Sequence, residues 1–108
     1  MYVVVVGAGK VGWNLARELI NKRHEVTVIE SRPTPTDDVD VLVGDGSDPW
    51  VLAQADLDTA VGFVAGTDND TTNLSLVAAA TRLNPDLYVA ARQNRPTSAP
   101  LFESMRTD

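Results

Sequence analysis

The stretch GAGKVGWNLARELINKRHEVTVIE, Gly7 to Glu30, decides how this chain folds. Ahead of it runs Tyr2 to Val6, a β-branched segment that stops at Gly7 as a strand covered on both faces does. Inside it, Val11, Leu15 and Leu19 recur one helical turn apart, and Ala16 and Ile20 widen the same apolar face, which predicts a helix from Val11 to Lys22. Asn21 to His24 turns the chain, and Val26 to Ile29, ending at Glu30, reads as a second strand. Tyr2 to Glu30 is therefore a β-α-β unit.

Within that unit, Gly7, Gly9 and Gly12 place G-x-G-x-x-G between a strand and a helix, the context in which the pattern carries weight. Gly7 permits the tight turn, Gly9 lets a pyrophosphate approach the backbone, and Gly12 brings the helix close to the strands. The helix start offers N–H donors and a partial positive charge to phosphates. Glu30 follows Gly12 by 18 residues, where a carboxylate accepts hydrogen bonds from ribose hydroxyls. Its charge opposes a 2'-phosphate despite Arg32 nearby, so NAD(H) is the expected ligand and ATP or ADP the alternative.

Further along, Val39 to Val43 reads as strand three, Val61 to Ala65 as strand four and Leu87 to Ala91 as strand five. Asp48 or Ser47 caps a helix that opens with Pro49, and a longer helix spans about Asp70 to Leu83 with Leu74, Val77 and Ala78 inward. Leu101, Phe102 and Met105 begin another amphipathic helix. Strands alternating with helices define an α/β class, a Rossmann-like parallel sheet with helices on both faces. One connection departs from that scheme. The eight residues Ser31 to Asp38, with Pro33 and Pro35, reach at most about 28 Å, against the roughly 17 to 20 Å that a return along a strand requires. The second crossover helix is thus missing or shortened. Either a bare extended loop leaves part of one sheet face to another chain or domain, or residues are missing here.

In a parallel sheet every strand exits on one edge, so Asp45, the Thr67 to Asn73 segment and Arg92 converge with Gly7 and Glu30. Asp45 suits the adenine end, Asn73 a ribose or phosphate at a helix start, and Arg92 supplies charge against a pyrophosphate. Asp68 and Asp70 are equally explained as helix caps. The sole histidine, His24, lies before strand two, on the order of 20 Å from Glu30, too far for acid-base chemistry at that edge. Asp37, Asp38 and Asp40 read as a solvated acidic loop, and Trp13 and Trp50 as packing residues.

At 108 residues there is room for one domain, with 44% hydrophobic and 22% charged residues as in ordinary globular chains. A formal charge of -6 disfavours nucleic acid and anionic lipid as partners. Without cysteine there is no disulfide frame or thiolate nucleophile, which fits the cytosol. No apolar run approaches the roughly 20 residues of a membrane span, so direct membrane insertion is not expected.

The ordered set GAGKVG, Glu30, VGDGSD, GTDNDTTN and VAARQN, across Met1 to Pro96, resembles the N-terminal nucleotide-binding domain of potassium-transport regulators, the TrkA-N, KTN or RCK domains. The resemblance implies a non-enzymatic cytoplasmic domain, assembled as a homodimer or larger ring, that binds NAD(H), ATP or ADP and biases a potassium channel or transporter subunit. It implies phosphate contacts from the backbone of Gly7, Ala8, Gly9, Lys10, Val11 and Gly12 and ribose contacts from Glu30, with Ser31 beside it. Asp45 and the adjoining Gly46 match the adenosine side, Thr67 and Asn73 the polar positions after strand four, and Arg92 the arginine after strand five. Lys10 falls where many relatives carry Arg, supplying charge without a planar fork. Relatives continue into a dimerising helix and a smaller ligand-binding domain, so a fragment of a longer protein is expected. The competing reading is the cofactor half of an NAD-dependent oxidoreductase, which would share only the first two motifs.

Overall fold

The computed structural model describes residues 1–7, 9–32 and 39–98, and for Lys10, Val11 and Ser98 the backbone alone. Five strands, β1 (Tyr2–Val6), β2 (Glu25–Glu30), β3 (Asp40–Val43), β4 (Gly62–Ala65) and β5 (Tyr88–Ala91), form one sheet in the order β3-β2-β1-β4-β5. Every pairing is parallel, with Val5 opposite Val28 on one side and Val64 on the other. The α-helices among the described residues are α1 (Lys10–Asn21), α2 (Pro49–Gln54) and α3 (Asp70–Leu83). The expected α/β class and its strand segments are present, shifted by a residue at several ends.

The side chains of β1 divide between two cores because successive residues of a strand face opposite ways. Val4 and Val6 join Ile29, Phe63 and Ala65 beneath Leu52 of α2 and Leu76 and Ala80 of α3. Val5 joins Val26, Val28 and Val39 beneath Ala16 of α1. A central strand covered on both faces has no solvent side, which is why an unbroken valine run replaces polar alternation. Each fully buried valine stabilises the fold by roughly 1.5–3 kcal/mol relative to exposure.

Local signals set the helix ends. At the end of α1, Arg23 N–H donates to the Ile20 carbonyl at 2.9 Å and His24 N–H to that of Leu19 at 3.0 Å. With Arg23 at φ 68°, this is a Schellman stop. For α2, Asp48 is the cap and accepts from Trp50 N–H at 2.9 Å, with Pro49 at the first position. The cap of α3 is Asn69, whose side chain accepts from Thr72 N–H at 2.9 Å.

The inward face of α3 differs from expectation. Its buried residues are Asp70, Asn73, Leu76 and Ala80, whereas Leu74 and Ala78 are only half-buried and Val77 packs at the margin of the core. Two polar residues occupy buried positions near the helix start, so the apolar residues alone give a stripe rotated from the true one. Among the described residues no helix lies between β2 and β3. Residues 33–38 and the expected helix at Leu101, Phe102 and Met105 lie outside the described residues.

Candidate nucleotide-binding site

The backbone ladder runs past the ends of the strands. Gly7 N–H donates to the Ile29 carbonyl at 3.0 Å, Gly44 to Glu30 at 3.1 Å, Gly66 to Val6 at 2.8 Å and Arg92 to Ala65 at 2.8 Å. Gly44, Glu30, Gly7, Gly66 and Arg92 therefore follow one another along the carboxyl rim in the order of the sheet. This is the convergence expected of Asp45, the segment after β4 and Arg92.

The three glycines of the fingerprint meet different surroundings. Gly7 sits at φ +81°, and a Cβ there would stand 2.8 Å from Thr67 N. At Gly12 a Cβ would come within 2.6 Å of the Gly7 carbonyl oxygen. Both are glycine because the chain itself leaves no room. Around Gly9, by contrast, a Cβ would meet nothing within 4 Å. Gly9 also caps α1 without any side-chain hydrogen bond, and the first turn holds no acidic residue. The first-turn N–H groups of Lys10, Val11 and Gly12 have no intrahelical acceptor, and the approach to them across Gly9 is open. A side chain at Gly9 would fill that approach, so the loop fits a phosphate. Ala8 and the Lys10 and Val11 side chains lie outside the described residues.

On the β2 side, Glu30 is half-buried and its Oε1 accepts from the N–H of Ser31, an exposed residue, at 3.0 Å. Asp45 is exposed, and its Oδ1 accepts from Ser47 N–H at 2.9 Å and Ser47 Oγ at 2.7 Å. Those bonds hold its carboxyl below the usual carboxylate range, the side-chain bond contributing most. Gly46 is buried, and a Cβ there would overlap the Val6 side chain. The loop carrying Asp45 thus lies directly on the end of β1. Among the described residues, Glu30 and Asp45 are carboxylate acceptors on the β2–β3 side of this rim.

On the β4 side the expected ligand-facing role of Asn73 gives way to another. Asn73 is fully buried. Its Oδ1 accepts from both Thr67 N–H and Thr67 Oγ1, and its Nδ2 donates to the Thr67 carbonyl at 3.0 Å and the Arg92 carbonyl at 2.8 Å. The side chain supports the rim from beneath. Thr67 is half-buried and tied to it, while the Arg92 side chain is exposed. Asp70, open in the sequence between a helix cap and a ligand contact, instead accepts from Asn94 N–H at 2.6 Å, Asn94 Nδ2 at 2.9 Å and Arg95 N–H at 2.9 Å. Asn94 was not legible as a site residue; its only signal is a polar side chain in the loop after strand five. His24 adjoins the first residue of β2, at the opposite edge from Glu30.

Comparison with known proteins adds the family. The TrkA-N domain profile matches residues 3–108. A Trk system potassium uptake protein TrkA homolog from Pyrococcus horikoshii is 31% identical over 112 residues, covering 98% of this chain and 49% of the relative. Among solved structures, the GsuK RCK domain superposes with a TM-score of 0.89 at 27% identity, covering 99% of this chain and 24% of that one. GsuK bound to ADP superposes at 0.88, again with 27% identity, over 99% of this chain and 29% of that one. The chain spans about half the length of the archaeal relative.

Proposed function

From the premise that this chain belongs to the TrkA-N domain family, we propose that it is one nucleotide-binding domain of a longer potassium-transport regulator. It binds NAD(H), or ATP or ADP in its place, at the carboxyl rim and leaves the ligand chemically unchanged. The observation that carries this reading is the open space over Gly9, between two glycines whose missing side chains the chain's own packing explains. Among the described residues nothing in the packing calls for glycine there, and a phosphate does.

In this reading the diphosphate lies across the glycine loop and the N–H groups of Lys10, Val11 and Gly12. Glu30 and the neighbouring Ser31 take the ribose, Asp45 and Gly46 flank the adenosine, and Arg92 adds positive charge from the β5 side. Thr67 and Asn73 hold the rim in shape. The ADP-bound GsuK neighbour supports an adenylate in a domain of this shape. Regulation then requires that two arrangements of the assembled protein bind the nucleotide with different affinity, because equal affinity shifts nothing. The partners are a second copy of this chain, in a dimer or ring, and a potassium channel or transporter subunit reached from the cytoplasm. No described helix is long and apolar enough to cross a membrane.

Calorimetric titration of NADH, NAD, ADP and ATP tests the reading. Glu30→Ala should weaken the preferred ligand by about tenfold or more, the scale of lost hydrogen bonds to a carboxylate. NADH should remain unoxidised when hydride acceptors are added. Steady oxidation would return the oxidoreductase reading, and heatless mixing with all four nucleotides would remove the nucleotide site.

A further inference from the structure

We propose that Asn73 and Asp70 lock the β4–α3 loop to the segment leaving β5, so that nucleotide occupancy at the glycine loop is transmitted to Arg92–Arg95. The inference rests on the nucleotide reading above and adds a route by which occupancy leaves the site. It starts at Gly7, where any Cβ would stand 2.8 Å from Thr67 N and 2.9 Å from Thr67 Cα. Gly66 is close as well, though less so, since a Cβ there would lie 3.2 Å from the Gly7 carbonyl oxygen. A glycine loop that shifts on a phosphate therefore moves against Thr67.

Thr67 does not move alone. Its N–H, hydroxyl and carbonyl all bond to the Asn73 amide, which holds the Arg92 carbonyl at 2.8 Å with the same Nδ2. The Thr67 carbonyl also accepts from Asn94 Nδ2 at 3.1 Å. One turn away along the helix start, the buried Asp70 carboxylate takes the N–H groups of Asn94 and Arg95 on its two oxygens. Asn73 is completely buried, so breaking its bonds singly leaves polar groups without water to replace them. Such a network favours two discrete states, fastened or released, over gradual deformation. Asn73 and Asp70 are positioning residues: they carry the displacement and do not touch the ligand.

Hydrogen exchange on the full chain, with and without ADP or NADH, reads the coupling directly. In the native protein the nucleotide should slow exchange both at Gly9–Gly12 and at Asn94 and Arg95. In Asn73→Leu the protection at Asn94 and Arg95 should fall by about tenfold or more relative to that at Gly9–Gly12, the fold-change that corresponds to losing these bonds. Asp70→Ala, which leaves Asn73 intact, should do the same at Asn94 and Arg95, and Asp70→Asn, which keeps an acceptor oxygen, should restore part of it. Protection at Asn94 and Arg95 that survives in the variants overturns the proposal. So does protection confined to the glycine loop in the native protein, which leaves the nucleotide reading standing. Protection at neither place overturns both.

Discussion

At the residue scale, Gly7, Gly9 and Gly12 share a motif yet answer to different constraints, and alanine distinguishes them. Gly7→Ala forces a left-handed φ on a side chain that also presses on Thr67, and Gly12→Ala drives a Cβ into the Gly7 carbonyl. Each should lower unfolding stability by about 1–3 kcal/mol in urea titrations. Gly9→Ala meets only open space. It should leave stability within about 0.5 kcal/mol while weakening nucleotide binding in calorimetry. Equal loss of stability in all three would contradict this division. Asp45 offers a second residue-level test. Its carboxyl is depressed in the fold by the two Ser47 donors, so its contribution is complete above the unfolded value near 3.8 and disappears as pH falls through the lower folded value. Around neutrality Asp45 should therefore give stability no pH dependence. Ser47→Ala should move the Asp45 titration upward, as followed by carboxyl-carbon NMR, with little effect on stability because the group is exposed.

At the scale of elements, α3 is held at both ends by asparagine. Asn73 fastens its first turn, while Asn84 beyond its last donates Nδ2 to the carbonyls of Leu57 at 2.8 Å and Ala60 at 3.2 Å. Those carbonyls lie at the edge away from the glycines. Asn84→Ala should therefore cost about 1–3 kcal/mol of unfolding stability, the loss of its two bonds to backbone carbonyls, with nucleotide affinity unchanged. A fall in affinity comparable to that of Glu30→Ala would show that the two ends of the helix are not independent. These asparagines also show where sequence reading succeeds and stops. The valine run of β1, the helical spacing of Leu15 and Leu19 and the glycine fingerprint each announce their role through local chemistry. Ahead of Pro49 the local chemistry narrows the cap to Asp48 or Ser47, and it is Asp48. Asn73 and Asp70 announce nothing, because a polar residue at a helix start looks the same whether it faces solvent, a ligand or a neighbouring loop. Only the partners distinguish these cases, and Arg92 and Asn94 lie far along the chain. Gly46 was similarly silent, since its reason is the bulk of Val6 beneath it.

For the whole molecule, the proposed function links binding and folding through the rim. The glycine loop, the Asp45 loop and the β4–α3 loop come together only when the sheet is assembled, so the unfolded chain offers the nucleotide no equivalent site. A ligand at a hundred times its dissociation constant should then stabilise the fold by about 2.7 kcal/mol. For a chain of this size that is a rise of roughly 10–20 °C in melting temperature. Differential scanning fluorimetry with NADH and ADP measures it, and a melting temperature indifferent to both would exclude tight binding to the folded form. Glu30→Ala should need proportionally more ligand for the same rise.

The division of β1 between two cores has a further outcome for anyone who alters this protein. Phe63 belongs wholly to the layer under α2 and α3, and Val28 to the layer under α1. The sheet acts as a partition: the two buried clusters have no residue in common, so losses from trimming Phe63 and Val28 should sum with little interaction between them. Each layer can then be redesigned in its own combinatorial library, and the best variants of the two merged without rescreening.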